Sequence, residues 1–217
     1  MSTTQRFDGI LDPELMQQQS VVIVGVGAVG NNLARIIGAM NPGELTLIDN
    51  DTVEIENVGP QMYCECSIGK NKVDACSEDI PYNGAVHCLP YKAPSPKTDA
   101  ALRDATCVFM CVDSMEARGK IIDRIGELPD CKDGIVIDTR MGAETYQIWD
   151  ARSLAWARNM FTDAESLPEA CNARSTPWCA TMCASHAAFY WSQWLRKEEM
   201  PSQIIHDLRT NEVVPVG

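Results

Sequence analysis

One stretch near the start of the chain, SVVIVGVGAVGNNLARIIGAM at 20–40, constrains the fold more than any other. A β-branched run passes directly into a glycine-rich turn. The turn passes into an apolar repeat of helical spacing, carried by Val29, Leu33, Ile36 and Ile37. Gly25, Gly27 and Gly30 stand in the turn as GxGxxG. A second apolar run, ELTLID at 44–49, follows, so the order is strand, glycine turn, helix, strand. Glycines at such a turn let backbone approach a phosphate, and the helix N-terminus favours the anion. They also serve close packing of a strand against a helix. Asp49 ends the second strand about two dozen residues past Gly25, the spacing of a carboxylate that takes ribose hydroxyls.

The alternation continues along the chain. AVHCLPY at 85–91, TCVFMCVD at 106–113, GIVIDTR at 134–140 and TYQIWD at 145–150 read as strands. Residues 69–79, 98–105, 115–127 and 177–197 read as helices, and 203–216 as holding one edge strand. The segment 151–176 has no clear period. Strands that alternate with helices predict an α/β, Rossmann-like fold, with a mainly parallel sheet covered by helices on both faces. The expected organisation is a single domain over 1–217. The polar stretch 49–69 is longer than a connection requires, which marks it as a functional loop.

Charge narrows the partners. Lys and Arg total 18 against 30 Asp and Glu, a net −12, which repels nucleic-acid backbones and anionic membranes. No nucleic acid and no membrane are expected. The stretch 177–195 carries Thr181, Ser185, His186, Ser192 and Gln193, too many polar groups for a membrane span. Ten cysteines occur without a CxxC, several inside apolar runs such as CVFMCVD, where Cys acts as a small hydrophobe. The first residues show no secretory pattern, so a reducing cytoplasm is the expected setting.

Two enzyme classes fit the glycine turn: a dinucleotide dehydrogenase and an ATP-using enzyme. Lys70 and Lys72 follow a glycine at a helix start, where a lysine can neutralise a polyphosphate. Asp113 ends a strand, where a carboxylate can hold magnesium. Each alone also reads as ordinary surface chemistry, a solvated lysine or a helix cap. Together they favour a triphosphate with a metal.

In combination these residues resemble the ubiquitin-activating-enzyme superfamily, in its small ThiF/MoeB-like branch. That family's pattern is a glycine loop, an acid-x-acid strand end, Asn-x-x-Arg-Gln, Gly-x-x-Lys at a helix start and a later Asp-Asn-x-x-x-Arg. The chain supplies Gly25, Gly27 and Gly30; Asp49 and Asp51; Asn57 and Gln61; Lys72; and Asp113 with Arg118. The resemblance implies a ThiF-type adenylation domain. Such a domain uses ATP and Mg2+ to adenylate the C-terminal glycine carboxylate of a ubiquitin-like or sulfur-carrier protein, releasing pyrophosphate. It implies ribose binding by Asp49, phosphate binding by Lys72, magnesium at Asp113, and pocket-lining roles for Asn57 and Gln61. It also implies a homodimer, and an acceptor position at Cys171, with Arg174 and Thr176 beside it to meet the incoming tail; among ten cysteines Cys171 also reads as structural, and its neighbours as ordinary loop polarity. His186, Trp191 and Trp194 read as packing residues of the long helix, with the tryptophans also suited to an interface.

The chain departs from that pattern in three places. Pro60 stands where the family has the Asn-x-x-Arg-Gln arginine, and Gly9 where it has the second of two N-terminal arginines, Arg6 matching the first. Paired CxxC motifs for structural zinc are absent, and Cys179 with Cys183 does not replace them. Lys70 and Arg140 are the candidates to supply the missing positive charge. Two readings follow: an active zinc-free adenylating enzyme, or a non-catalytic nucleotide-binding subunit that presents a ubiquitin-like protein to an active homologue.

Overall fold

The computed structural model describes residues 9–129, 134–151 and 175–216. Its centre is one eight-stranded sheet in the order β3-β2-β1-β4-β5-β6-β7-β8. The strands are β1 (Ser20–Val24), β2 (Glu44–Ile48), β3 (Val86–Leu89), β4 (Cys107–Met110), β5 (Ile135–Gly142), β6 (Thr145–Asp150), β7 (Gln203–Asp207) and β8 (Glu212–Val216). Pairing is parallel from β3 through to β5. It is antiparallel from β5 to β8. The expected parallel sheet is therefore the first half of a mixed one. The change follows from connection length: β5 and β6 are joined by a two-residue turn, too short to bring a strand back in parallel.

The apolar runs of the first strands have a simple cause. Val21 and Ile23 point to one face of the sheet and Val22 and Val24 to the other, and all four are buried. A strand covered on both faces reads as a continuous hydrophobic run. On the first face lie α2 (Ala28–Met40) and the long C-terminal helix, here α6 (Pro177–Leu195), packed on Leu45, Leu47 and Phe109. Trp191 of α6 is fully buried and meets Phe109 edge-on, ring centroids 6.1 Å apart. Trp194 packs half-buried at the margin of the same core. The second face carries α4 (Asp99–Asp104) and α5 (Met115–Glu127), through Leu102, Ile121 and Ile122.

Three elements differ from the sequence reading. The tail forms a hairpin, β7 and β8, instead of one edge strand, turning at Asn211 in the left-handed region. The helix expected over 69–79 is α3 (Lys72–Ser77) alone. Residues 69–71 are held by Val53 and Thr52: Gly69 N–H donates to Val53 O, Val53 N–H to Lys70 O, and Asn71 bridges Thr52. A short helix, α1 (Pro13–Gln17), is started by Pro13 and by the Asp12 carboxylate, which accepts from Glu14 N–H at 2.9 Å.

His186 is more than a packing residue. Its Nδ1 lies 2.9 Å from the buried Tyr146 hydroxyl, which also meets His206 Nδ1 at 2.8 Å. Burial lowers the His186 pKa, with His206 adding to the effect. The outer side of α6 leaves Trp178, Met182 and Phe189 exposed. No helix among the described residues is long and apolar enough to cross a membrane.

Candidate functional site

In this sheet the strand order reverses between β1 and β4, since β2 and β3 lie on one side of β1 and β4 and β5 on the other. Loops leaving the carboxyl ends of β1 and β4 diverge there and leave a crevice. A cavity of about 1280 Å³ occupies it. Gly25, Gly27, Asp49, Asp51, Gln61, Lys72 and Asp113 all line it.

The glycine turn is fixed by close approach. Gly25 has φ 88°, and a Cβ there would stand 2.8 Å from the Cys111 carbonyl. At Gly30 a Cβ would stand 1.9 Å from the Gly25 carbonyl oxygen. Gly30 therefore seats α2 on the turn; it is not among the cavity-lining residues. The first turn of α2 holds no acidic residue, and its N-cap, Gly27, offers no side chain. The N–H groups there are left for an anion.

Asp49 ties this turn to the end of β2. Its Oδ2 accepts from Val26 N–H at 2.7 Å and its Oδ1 from Asp51 N–H at 2.8 Å. Burial raises the Asp49 pKa, while these two N–H groups and the charge of Lys72 pull it back. Lys72 begins α3 with its side chain almost wholly buried, and its Nζ lies 3.1 Å from Asp51 Oδ2. Its backbone N–H also donates to Asp51 O at 2.9 Å. Asp51 thus holds the lysine from two directions at the cavity wall.

Tyr63 completes this frame and was not foreseen. Its hydroxyl donates to Val26 O at 2.6 Å and lies 3.4 Å from Lys72 O, joining the glycine turn to the start of α3. Burial pushes the phenol far above its ordinary range, so it stays a donor. The only signal in sequence is one aromatic in an otherwise polar loop, MYCEC. Beside it, Gln61 Oε1 is buried without a partner, 3.9 Å from where a Gly27 Cβ would stand. On the cavity wall this oxygen is an acceptor that a nucleoside N–H or O–H can meet.

On the opposite wall, Asp113 is exposed to the cavity just before α5. Arg118 lies under it, buried, bonded to Asp138 and to Val112 O. Arg140 Nε donates to the other Asp138 oxygen at 2.7 Å, and its guanidinium stacks 4.6 Å from the Trp149 ring. Asp138 was also missed. An acid within GIVIDTR is a buried charge in a strand, and a buried charge requires a cation.

The other expected residues fall as follows. Asn57 does not line the cavity; its Oδ1 accepts from Glu54 N–H at 2.9 Å and caps a short 3-10 turn. Lys70 is not among the cavity-lining residues and pairs with Glu78 at 2.7 and 2.8 Å on the surface. Arg140 does line the cavity. Thr176 Oγ1 donates to Ala143 O at 2.8 Å. Arg6, Cys171 and Arg174 lie outside the described residues.

The residues present fit a magnesium nucleotide. The glycine turn and Lys72 suit phosphates, Asp49 suits ribose hydroxyls, and Gln61 suits a nucleoside donor. Among the described residues no three His, Cys, Asp or Glu cluster to hold a metal alone. Asp113 is the residue that would hold magnesium, which would supply charge neutralisation for the phosphates.

Comparison with known proteins gives the same family. The pattern described as "ThiF family" matches residues 6–130. The chain is 36% identical over 108 residues to "Adenylyltransferase and sulfurtransferase MOCS3" of Sus scrofa, covering 48% of this chain and 24% of that protein. It is 27% identical over 119 residues to "Molybdopterin-synthase adenylyltransferase" of Haemophilus influenzae, covering 53% and 48%. It thus spans half or less of the length of either relative. The crystal structure of E. coli MccB with MccA-N7isoASN superposes with a TM-score of 0.72 at 14% identity, covering 99% of this chain and 72% of that one. The fold is shared at that distance, and the chain belongs to the ThiF family.

Proposed function

We propose that this ThiF-family chain adenylates the C-terminal carboxylate of a ubiquitin-like or sulfur-carrier protein ending in glycine, using ATP and magnesium and releasing pyrophosphate. The observation that carries the reading is Lys72, buried at the cavity wall and held by Asp51, with the glycine turn and Asp113 lining the same cavity. A dehydrogenase needs no such lysine. The names of the relatives, an adenylyltransferase and sulfurtransferase and a molybdopterin-synthase adenylyltransferase, support the same chemistry.

A carboxylate is a poor electrophile, and joining it to AMP supplies a good leaving group. A carboxylate oxygen attacks the α-phosphorus, the new P–O bond forms, and the bond to pyrophosphate breaks. The step requires in-line positioning and neutralisation of the charge on the leaving group more than it requires a base. Asp49 accepts the ribose hydroxyls, and the N–H groups of the α2 terminus meet the phosphates. Lys72 places its ammonium where charge develops. Asp113 would hold magnesium, which supplies further charge neutralisation. Cys171 then serves as acceptor, its thiolate taking the acyl group from AMP. We place the chain in the cytoplasm on its free cysteines, as a homodimer for which the exposed Trp178, Met182 and Phe189 offer apolar area.

A second reading, a non-catalytic nucleotide-binding subunit, is favoured by Pro60 in the place of an arginine and by Lys70 being held on Glu78. ATP–pyrophosphate exchange separates the two. A panel of ubiquitin-fold carriers ending in Gly-Gly is tested, each beside a form with an amidated terminus. Exchange that requires the free carboxylate supports the enzyme. ATP binding without exchange for any carrier supports the second reading.

A further inference from the structure

Eight of the ten cysteines lie among the described residues, and they divide sharply. Cys76, Cys107, Cys179 and Cys183 are buried, and Cys88 and Cys111 half-buried. Burial pushes all six thiols up, Cys76 and Cys179 to about 12 and Cys111 to about 11. A thiol in that condition is inert. Cys64 and Cys66 are the two described cysteines in full contact with solvent, and only one residue separates them.

Their local geometry is specific. Cys64 is the N-cap of the 3-10 turn Glu65–Ser67, and its Sγ accepts from Cys66 N–H at 3.3 Å. An N–H aimed at sulfur stabilises the thiolate more than the thiol, as any helix-cap donor stabilises an anion. The Cys64 pKa is lowered accordingly, first by its hydrogen bond with the Cys66 thiol and then by that N–H. Cys66 moves the other way, raised first by the same bond to Cys64. Of the two exposed thiols, Cys64 is the one whose sulfur receives a backbone N–H. The Glu65–Ser67 turn brings Cys66 N–H to within 3.3 Å of the Cys64 sulfur, so the two exposed cysteines sit on one tight turn.

We propose that Cys64 and Cys66 form a redox-active dithiol, in which Cys64 is the attacking thiolate and Cys66 the resolving thiol, closing to an intramolecular disulfide under a hydroperoxide. The Cys64 sulfur attacks the terminal peroxide oxygen. An S–O bond forms, the O–O bond breaks, and the departing hydroxide leaves as water with the proton that the Cys64 thiol gave up. The sulfur is now a sulfenic acid, oxidised by two electrons. The Cys66 sulfur then attacks it, an S–S bond forms, and the S–O bond breaks. The second hydroxide leaves as water with the Cys66 proton. Two thiols and one hydroperoxide give one disulfide and two molecules of water, or one water and one alcohol for an alkyl hydroperoxide.

The assignment does not depend on nucleotide chemistry, so its test reads thiols and not activity. The reduced full chain is treated with hydrogen peroxide at stoichiometric dose, blocked with N-ethylmaleimide, digested and read by mass spectrometry. The expected result is that the peptide carrying both cysteines loses two hydrogens and takes no label, while the buried cysteines keep their thiols. In Cys66→Ala the reaction stops at the sulfenic acid on Cys64, which dimedone traps. In Cys64→Ala the Cys66 thiol stays reduced at the same dose. Both positions are exposed, so neither substitution removes core packing. A disulfide joining either cysteine to a third one, dimedone trapping at Cys66 in Cys64→Ala, or no reaction at the pair would each overturn the assignment.

Discussion

Tyr63→Phe removes one oxygen and leaves the buried ring in place. Val26 O then loses its 2.6 Å hydrogen bond, while the longer approach to Lys72 O, at 3.4 Å, contributes little. An acceptor left buried and unpaired costs about 1–3 kcal/mol, and because the ring still fills its site the lower part of that range applies. At about 2–4 °C per kcal/mol for a domain of this size, the melting temperature falls by about 2–8 °C. The second consequence concerns the ligand. Tyr63 joins the glycine turn to the start of α3, so without it the cost of ordering that turn moves to the binding step. An ordering cost of about 0.5–1.5 kcal/mol raises the Kd for ATP about two- to tenfold. Thermal unfolding and calorimetric titration with magnesium and ATP read the two effects in the same preparation. Lost stability with unchanged ATP affinity would make Tyr63 a packing residue and refute its role in the site.

Three further outcomes are expected. Asp138→Ala leaves the Arg118 and Arg140 side chains, both largely buried, without their shared carboxylate, and unfolding free energy falls by about 3–5 kcal/mol in urea; a loss under about 1 kcal/mol would mean the pair is not held by Asp138. His186 has its pKa lowered by burial, so its contribution to stability is complete above about pH 6.5 and declines as pH falls toward the folded value. In His186→Gln the loss of stability between about pH 7.5 and 5.5 is smaller, and urea midpoints that fall as steeply as in the parent chain would refute this. Asp49→Ala weakens ATP by about 1–3 kcal/mol, with NAD binding poorly to either form; calorimetry giving equal ATP affinity in the folded variant would remove Asp49 from the site.

The first half of the sheet was legible in sequence for a physical reason. Strands buried on both faces, such as Val21–Val24, admit only apolar residues, and the helices between them bury one periodic stripe. The β7–β8 hairpin was not legible as two strands because every residue of β8 is exposed, and an exposed edge strand carries no alternation to read. The shortened α3 depended on the bridge between Thr52 and Asn71, a pairing across a loop that local periodicity does not encode. The same division holds at the site. Gly25, Gly27, Asp49 and Asp113 follow strand ends and Lys72 begins a helix, so spacing marked all five, and all five line the cavity. Asn57 and Lys70 were plausible by residue type and turned elsewhere, to Glu54 and Glu78, partners that lie on the same loop or the next helix. Tyr63 and Asp138 act through carbonyls and guanidiniums that only the fold brings near.

The central claim is that Lys72 and Asp113 make an acyl adenylate, and pyrophosphate exchange of the single-site variants tests it most directly. The carrier that supports exchange in the parent chain is used, with magnesium and ATP, on Lys72→Ala, Asp113→Ala and Cys171→Ala. Loss of a preorganised charge at the leaving group costs about 100- to 1000-fold in rate, so the first two variants fall to background. Cys171→Ala keeps full exchange, since a thiolate that attacks the finished adenylate plays no part in making it. Exchange at the parent rate in both Lys72→Ala and Asp113→Ala would contradict the account, because the cavity these two residues face would then not be where the adenylate forms.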